Sequence, residues 1–534
     1  MKRLTLILFL LSAVFFSAEA VPFHVTPSTF LPPNTNNLAG WNAHTNDPAP
    51  GSVVIFDGTF TTAADMTSAG SFGNPLTIYV TNALWSAPTW DSGNAVHWHN
   101  SPPIYAVLWA DTLDNVQIIG DTNKVLVTSS DNGIGLTHTN LVCGFYVNHL
   151  GGSNVISGLV ITNLLYRTNG DFPFSSEGLY LNILGNSNVI TKNVLRLLGN
   201  AQTVLYTPIH GLDITSNYID ECSFGIFLNA AGGGGVADGF RFTDNYVRNG
   251  TAFQPGTNTV IRDQLHTDTL INNNSAGACS NFNFLIARNI CDASSTNFSE
   301  GSGIFYVNPD NRNAVSNMMI VDNFVLVGPH KHFTGGAVTL ASSSGLVANN
   351  TIVSLQPSEF GLRFFTVSEP EDGTGTYPGP RVLNNLCISL SSGYSRYYSQ
   401  WGLTNAAGVH NGLADFNCFS AMPDNGGFDY YWYRNAAGGT VTTSNGAVAL
   451  NPVQLYYGEF KALTGFEANG STNTALTDAN WVPTTNDVAA YLRGTNLNSL
   501  GIAALSNGLD GITRPISSAW TIGAYAGEIG RAHV

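Results

Sequence analysis

Lysine is nearly missing from this chain: after residue 20 it occurs only at Lys124, Lys192, Lys331 and Lys461. Charged residues of every kind make up 10% of the sequence, and 35 acids outnumber 20 bases, for a formal net charge of −15. Nucleic-acid binding needs clustered basic side chains to displace counterions from phosphates, so that class is excluded. The same deficit argues against electrostatic capture of a highly anionic polymer, unless calcium or a local arginine cluster intervenes. The six cysteines show no CxxC or Cys/His spacing of the kind that holds zinc. Beyond the first twenty residues no apolar run is long enough to cross a bilayer. No window of the central chain carries sustained helical periodicity with caps, which excludes helical repeats.

What is present is a recurring phrase: an apolar residue, two variable residues, asparagine, one variable residue and another apolar residue. Its copies begin at Ile190, Ile214, Phe242, Ile286, Ile320, Val347 and Val382, with asparagine at Asn193, Asn217, Asn245, Asn289, Asn323, Asn350 and Asn385. An eighth, Val155 to Val160, reads with Gly158 in the asparagine place. Successive asparagines lie 24, 28, 44, 34, 27 and 35 residues apart. A fixed phrase at a wandering interval marks a solenoid with loops of variable length inserted in each coil. The apolar columns are mainly β-branched or aromatic, which suits strands. Asparagine and glycine both tolerate left-handed backbone, so each is read as the bend residue itself. Stacked asparagines can exchange amide hydrogen bonds from coil to coil. The fold expected is all-β, a parallel β-helix solenoid. Cys291 and Cys387 occupy the second apolar column and read as small core residues. Cys143, Cys222, Cys279 and Cys418 leave a disulfide open.

The chain begins with Lys2 and Arg3, an apolar run from Leu4 to Phe16, and Ala18-Glu-Ala20, the pattern of a cleaved secretory signal over 1–20. The mature protein is therefore expected outside the cytoplasm, periplasmic or extracellular, with no membrane span. Residues 21–50 are Pro/Asn-rich and read as irregular, 51–400 as the β-helix, and 401–527 as terminal coils with a C-terminal capping segment over the open core end. Residues 528–534 match the in-frame translation of a short-read sequencing adapter, so Arg531 and His533 carry no weight.

The opening GSVVIFDGTF (51–60) and the closing Leu509-Asp-Gly-Ile-Thr-Arg514-Pro515 with Trp520-Thr-Ile-Gly-Ala-Tyr525 resemble the ends of secreted right-handed β-helix proteins of the pectate-lyase-like superfamily. The resemblance spans nearly all of the mature chain at superfamily level. It implies a right-handed coil and a carbohydrate setting, without a reaction. The pectate lyase phrases R-x-P-x-x-R and W-x-D-H and the polygalacturonase phrases NTDG, GHG and RIK do not occur here. No catalytic residue carries over by motif.

Function is therefore sought on an outward column. One family of strands often opens with glycine: 178–182, 225–229, 265–271, 303–307, 336–340 and 361–365. If the apolar residue after each glycine faces inward, alternation sends Tyr180, Asn182, Phe227, Asn229, Phe305 and Arg363 outward as a sugar-binding face. Rings stack on pyranose faces while amides bond hydroxyls. Within this set, 262–268 lacks the glycine and concentrates ionisable groups. Asp268 and His266 share a face and read as a base held by a carboxylate, with Asp263 in the turn before them and Arg262 or Arg363 neutralising a uronate. Asp263 and Asp268 together would serve glycoside hydrolysis instead. Glu177 and Asp171 could reach the same groove from a loop. The pairs His330/His332 and His97/His99 and the glycines 232–235 read as loop residues. The expectation is an enzyme that cleaves a polysaccharide by β-elimination or hydrolysis. The rivals are a non-catalytic carbohydrate-binding or adhesive solenoid and a polyuronate epimerase. Calcium is a possible cofactor that no residue pattern requires.

Overall fold

In the computed structural model the asparagine phrase occupies one fixed place in successive coils. The structure describes residues 22–27, 35–45, 48, 51–66, 68–69, 75–100, 103–130, 141–164, 176–206, 209–230, 236–248, 269–273, 280–294, 299–301, 304–307, 315–328, 331–333, 337–341, 344–355, 362–368, 379–390, 395–402, 412–420, 431–434, 441–442, 448–449, 453–455, 457–479 and 481–526. The signal segment and residues 528–534 lie outside them.

Three ladders of parallel strands follow from the repeat. The first runs through Val155–Ser157, Asn188–Thr191, Leu212–Thr215, Arg241–Thr243, Leu285–Ala287, Met318–Val321, Ser344–Ala348, Gly379–Leu383 and Leu413–Asp415. The second takes the other half of the phrase, from Val160–Thr162 through Tyr246–Arg248, Ile290–Ala293, Phe324–Val327, Thr351–Ser354 and Leu386–Ser389 to Cys418–Ser420. The third runs through Pro103–Asp114, Leu141–Leu150, Glu177–Ile183, the far ends of Val194–Tyr206 and Tyr218–Ala230, Leu270–Asn273, Phe305–Val307, Val338–Ala341, Leu362–Ser368 and Ser395–Gly402. Each strand pairs with its counterpart one coil away. The chain is a parallel β-helix.

The phrase's two apolar columns fill the interior. Ile190, Ile214, Phe242, Ile286 and Val347 are 0% exposed on one side of the bend, and Leu195, Ile219, Val247, Cys291, Val325 and Cys387 on the other. Fully burying one such branched side chain contributes about 1.5–3 kcal/mol. Cys291 and Cys387 are thus core residues as expected. Cys143, Cys222 and Cys418 are also buried and unbridged; Cys279 lies outside the described residues.

At the bend the asparagines form a continuous ladder. From Asn193 to Asn417, each backbone N–H and each Nδ2 donates to the Oδ1 of the next asparagine at 2.9–3.0 Å. Every Nδ2 also reaches back to a main-chain carbonyl of the preceding coil, as Asn289 does to Phe242 O. Buried amides are thereby satisfied without water. Glu467, 0% exposed, terminates the ladder by accepting from Asn417 Nδ2 at 2.7 Å.

Two expectations about the bend are corrected. The left-handed residue is the one before the asparagine: Lys192, Ser216, Asp244, Arg288, Asp322, Asn349, Asn384 and Phe416 have φ between 55° and 59°. The asparagine's work is hydrogen bonding. Correspondingly Gly158 (φ 73°) takes the place of Lys192, and Leu159 takes that of Asn193, because Ile156 pairs with Ile190 and Val160 with Val194. The eighth copy was therefore read one residue out of register.

The C-terminal segment closes the end of the coil and also lies along its side. Tyr457, at the start of a short helix (Tyr457–Thr464), and Phe466 join the main core. Farther on, Leu497, Leu505 and Trp520 pack on the outer faces of Leu285, Val321, Leu346 and Leu383. Ala489, Ala490 and Ile522 pack on Val353, Leu386 and Ile388. Arg514 pins this strap: it meets Asp322 at 2.6 Å with both side chains fully buried, donates to four main-chain carbonyls and lies 5.2 Å from the Trp520 ring.

Candidate functional site

On the third sheet Phe145, Val147, Leu179, Leu181, Val204, Ile226 and Leu228 enter the core. Strand alternation places three columns of register positions on the outer side. The first holds Ala106, Cys143, Glu177, Asn200 and Phe224; the second Trp109, Tyr146, Tyr180, Thr203 and Phe227; the third Asn182, Leu205 and Asn229. Asn148 and Asp111 stand two residues beyond Tyr146 and Trp109 on the earlier coils.

This face is built as an aromatic and amide platform. The Tyr146 and Tyr180 rings lie 5.6 Å apart at 45°, and Phe224 meets Phe227 edge-on at 6.1 Å. The Tyr146 hydroxyl donates to Asn148 Oδ1 at 3.0 Å, and Asn148 Nδ2 donates to Asp111 Oδ1 at 2.9 Å. Burial pushes the Tyr146 hydroxyl up to about 12, with Cys143 and Asp111 adding to the shift.

At the inner margin of the platform is Glu177, 5% exposed. It sits in a strand, paired with Cys143 on one side and Asn200 on the other, where a loop position was expected. Burial raises its carboxyl to about 7, against the opposing influence of the Thr203 and Asn200 side chains. Asn200 Nδ2 donates to Thr203 Oγ1 at 3.3 Å. Glu177 Oε2, Asn200 Oδ1 and Asn182 Oδ1 are buried with no hydrogen-bond partner among the described residues. A buried carboxyl raised to about 7 beside the half-buried Tyr180 is suited to exchange a proton near neutrality.

Of the residues predicted for this face, Tyr180, Asn182 and Phe227 lie on the outer side and are half-buried. Asn229 pairs in register with Leu205 and Asn273. Phe305 does not belong. It is in register with Leu270 and Ile226, is 0% exposed and is part of the core. Two consecutive residues face inward at this corner of the coil, Gly178 with Leu179 and Ile304 with Phe305. A Cβ on Gly178 would sit 2.6 Å from Ala201 O, so glycine marks the first inward place there. In the later coil Ile304 fills that place and the glycine falls one residue earlier, which shifts the alternation. Arg363 lies in Leu362–Ser368, paired with Arg396 several coils from Glu177. His266, Asp268, Asp263, Arg262 and Asp171 lie outside the described residues. The chain re-enters the third sheet at Thr269, 1% exposed, whose carbonyl accepts from Ile226 N.

His97 is exposed, its ring 5.6 Å from that of Tyr105. Lys331–Phe333 is a short strand paired with Ser299–Gly301. Among the described residues no three His, Cys, Asp or Glu side chains gather as a metal site. Two charged constellations were not anticipated. Asp220, 1% exposed, is clasped by Arg196 and Arg248 from the neighbouring coils, both arginines also facing Glu221, beside the stacked rings of Tyr218 and Tyr246. His44 meets the buried Asp65 at 2.8 Å. The first depends on coil-to-coil register, and in the second His44 reaches Asp65 from the turn after a short helix (Leu38–Asn42); the sequence spacing displays neither.

No family model matches the sequence. No curated protein matches it either. A solved structure described as "Crystal structure of pectate lyase Pel9A" aligns over 95% of this chain and 96% of that chain, at 14% identity and a TM-score of 0.41. The parallel coil is established by the strand register itself. No helix among the described residues is long and apolar enough to cross a membrane.

Proposed function

We propose that this protein is an exported enzyme that cleaves a polysaccharide on the outer face of the third sheet, with Glu177 as proton donor. The observation that carries the reading is a buried carboxyl raised to about 7 directly beside a platform of tyrosines and amides. The platform holds the sugar rings. Glu177, protonated below neutrality, delivers its proton to the glycosidic oxygen as the bond to the departing sugar breaks. That step is common to hydrolysis, in which water supplies the hydroxyl to the anomeric carbon, and to β-elimination, in which a base removes the proton next to a carboxylate. His266 and Asp268 are the proposed base or water-activating pair, on sequence grounds and because the chain beyond them joins the same sheet one coil after Phe227. The signal-like N terminus supports export.

The test is Glu177→Gln in the full-length protein, assayed on a polysaccharide panel for reducing ends and for the ultraviolet band of unsaturated uronates. We expect turnover to fall by about 10²–10⁴ with polymer affinity retained, the range for a lost general acid. Wild-type turnover in the variant would remove Glu177 from the mechanism. Binding without either product, in the native protein, would instead identify an adhesive solenoid.

A further inference from the structure

We infer that the polymer, on leaving the third-sheet platform, seats one further sugar ring against Tyr218 on the outer face of the second sheet. The inference rests on the function proposed above and adds a binding place outside the platform. The same two strands carry both. Val194–Tyr206 and Tyr218–Ala230 begin in the second sheet, turn a corner at the left-handed residues Leu197 and Glu221, and end in the third. Tyr218 and Tyr246 stack with ring centroids 5.1 Å apart and planes 4° apart, so their faces point along the coil axis. Tyr246 covers one face of Tyr218. On the other side the residue in register is Val194, a short side chain that is itself half-buried. The column therefore falls from a ring to a valine across one coil spacing, about 4.8 Å. Tyr218 remains 41% exposed. An accessible ring face over an apolar floor accommodates the apolar face of a pyranose.

Polar groups border this step in fixed positions. Arg196 lies two residues beyond Val194 on the same face, its side chain 50% exposed, and its Nε donates to Asp220 Oδ2 at 3.0 Å. Its Nη2 lies 3.8 Å from Glu221, whose side chain is partly exposed. Arg248 engages the other Asp220 oxygen from the coil of Tyr246. The buried Asp220 thus orients both guanidinium groups, leaving the outer edge of Arg196 to donate and Glu221 to accept. Sugar hydroxyls do both. Because the arginine is already held, little side-chain freedom is lost when a ring binds beside it. The C-terminal strap covers this same sheet only farther along, where Phe324 meets Tyr525 and Leu326 packs beside it. The exposure of Tyr218, Arg196 and Arg248 shows that the cover stops short of their coils.

The test fills the step as well as removing its wall. Val194→Phe extends the aromatic column by one ring in a strand that favours such residues, so its melting temperature should stay at or above the native value while the added ring occupies the sugar's place. Tyr218→Ala takes the wall away. Both full-length variants and the native protein are titrated by affinity electrophoresis against galactan, mannan, β-glucan, xylan, alginate and polygalacturonate, and their turnover is compared on whichever polymer the native protein cleaves. We expect each variant to bind the preferred polymer about tenfold more weakly, with the loss appearing in KM and not in kcat. Native affinity in either variant overturns the inference, because the tyrosine stack then serves only the fold, and leaves Glu177 catalysis standing. Weakened binding in both variants alongside wild-type turnover in Glu177→Gln supports the Tyr218 subsite and removes the catalytic reading. Binding of none of the polymers by the native protein overturns both.

Discussion

Removing one interior asparagine from the ladder should cost more than removing the first, and the structure says by how much. Asn289 holds four side-chain hydrogen bonds: Oδ1 accepts from Asn245 N and Asn245 Nδ2, both at 3.0 Å, and Nδ2 donates to Phe242 O and Asn323 Oδ1, both at 2.9 Å. In Asn289→Ala the Asn245 side chain keeps its bonds to Ile214 O and Thr243 O, but the buried Asn245 N–H is left without an acceptor. Three of these bonds at about 1 kcal/mol each, plus about 1–3 kcal/mol for the N–H stranded by loss of the fourth, give roughly 4–6 kcal/mol. Asn193 holds three: Oδ1 accepts only Leu159 N, at 2.9 Å, and Nδ2 donates to Ile156 O and Asn217 Oδ1. Asn193→Ala should therefore cost about 1 kcal/mol less. Urea unfolding gives the totals. Native-state hydrogen exchange at the Asn245 and Leu159 amides localises them, because a solenoid couples mainly neighbouring coils. A cost below about 1 kcal/mol for Asn289→Ala, or equal costs at the two sites, would refute the idea that the ladder is a chain of shared acceptors.

The raised carboxyl of Glu177 predicts a pH-dependent stability. Because burial lifts it from 4.5 in the unfolded chain to about 7 in the fold, its contribution is whole below about pH 4.5 and lost as pH rises through 7. Glu177→Gln should flatten the pH profile of unfolding free energy across that window by about 3 kcal/mol, read by calorimetry from pH 4 to 8. Arg514→Leu leaves Asp322 fully buried without its partner and should cost about 3–5 kcal/mol, releasing the 475–526 strap to limited proteolysis. Pairing Arg514→Leu with Asp322→Leu should recover part of that loss. Phe305→Ala should destabilise by about 3–5 kcal/mol in thermal unfolding. Its polysaccharide affinity should stay unchanged, the outcome that separates a core residue from a sugar platform.

The coil was legible because its determinant is local and repeated. Apolar columns on either side of a polar residue specify two strands and a bend whatever the loop between them does, and two cysteines were placed in the core by column membership alone. The bend's details were less accessible. Propensity assigns the left-handed conformation to asparagine, yet Lys192, Arg288 and Phe416 adopt it. They do so because the adjacent asparagine must face inward to reach its neighbours above and below. The register of the third sheet was misread at Phe305 for a similar reason. Glycine signals tight packing against a main-chain carbonyl at one corner, and a different residue fills that corner in the next coils.

The sequence by itself determined the repeating unit, the class of fold, the burial of Cys291 and Cys387, and the sheet on which Tyr180, Asn182 and Phe227 lie outward. Those properties depend on residues within a few positions of one another. Only the tertiary structure decided that Glu177 lies in a strand against Asn200, that Asp220 is clasped between two arginines, and that Arg514 reaches Asp322 across the outer face. In each case the partners are brought together by loops of unequal length between coils. Their separation along the chain carries no period from which the contact could be read.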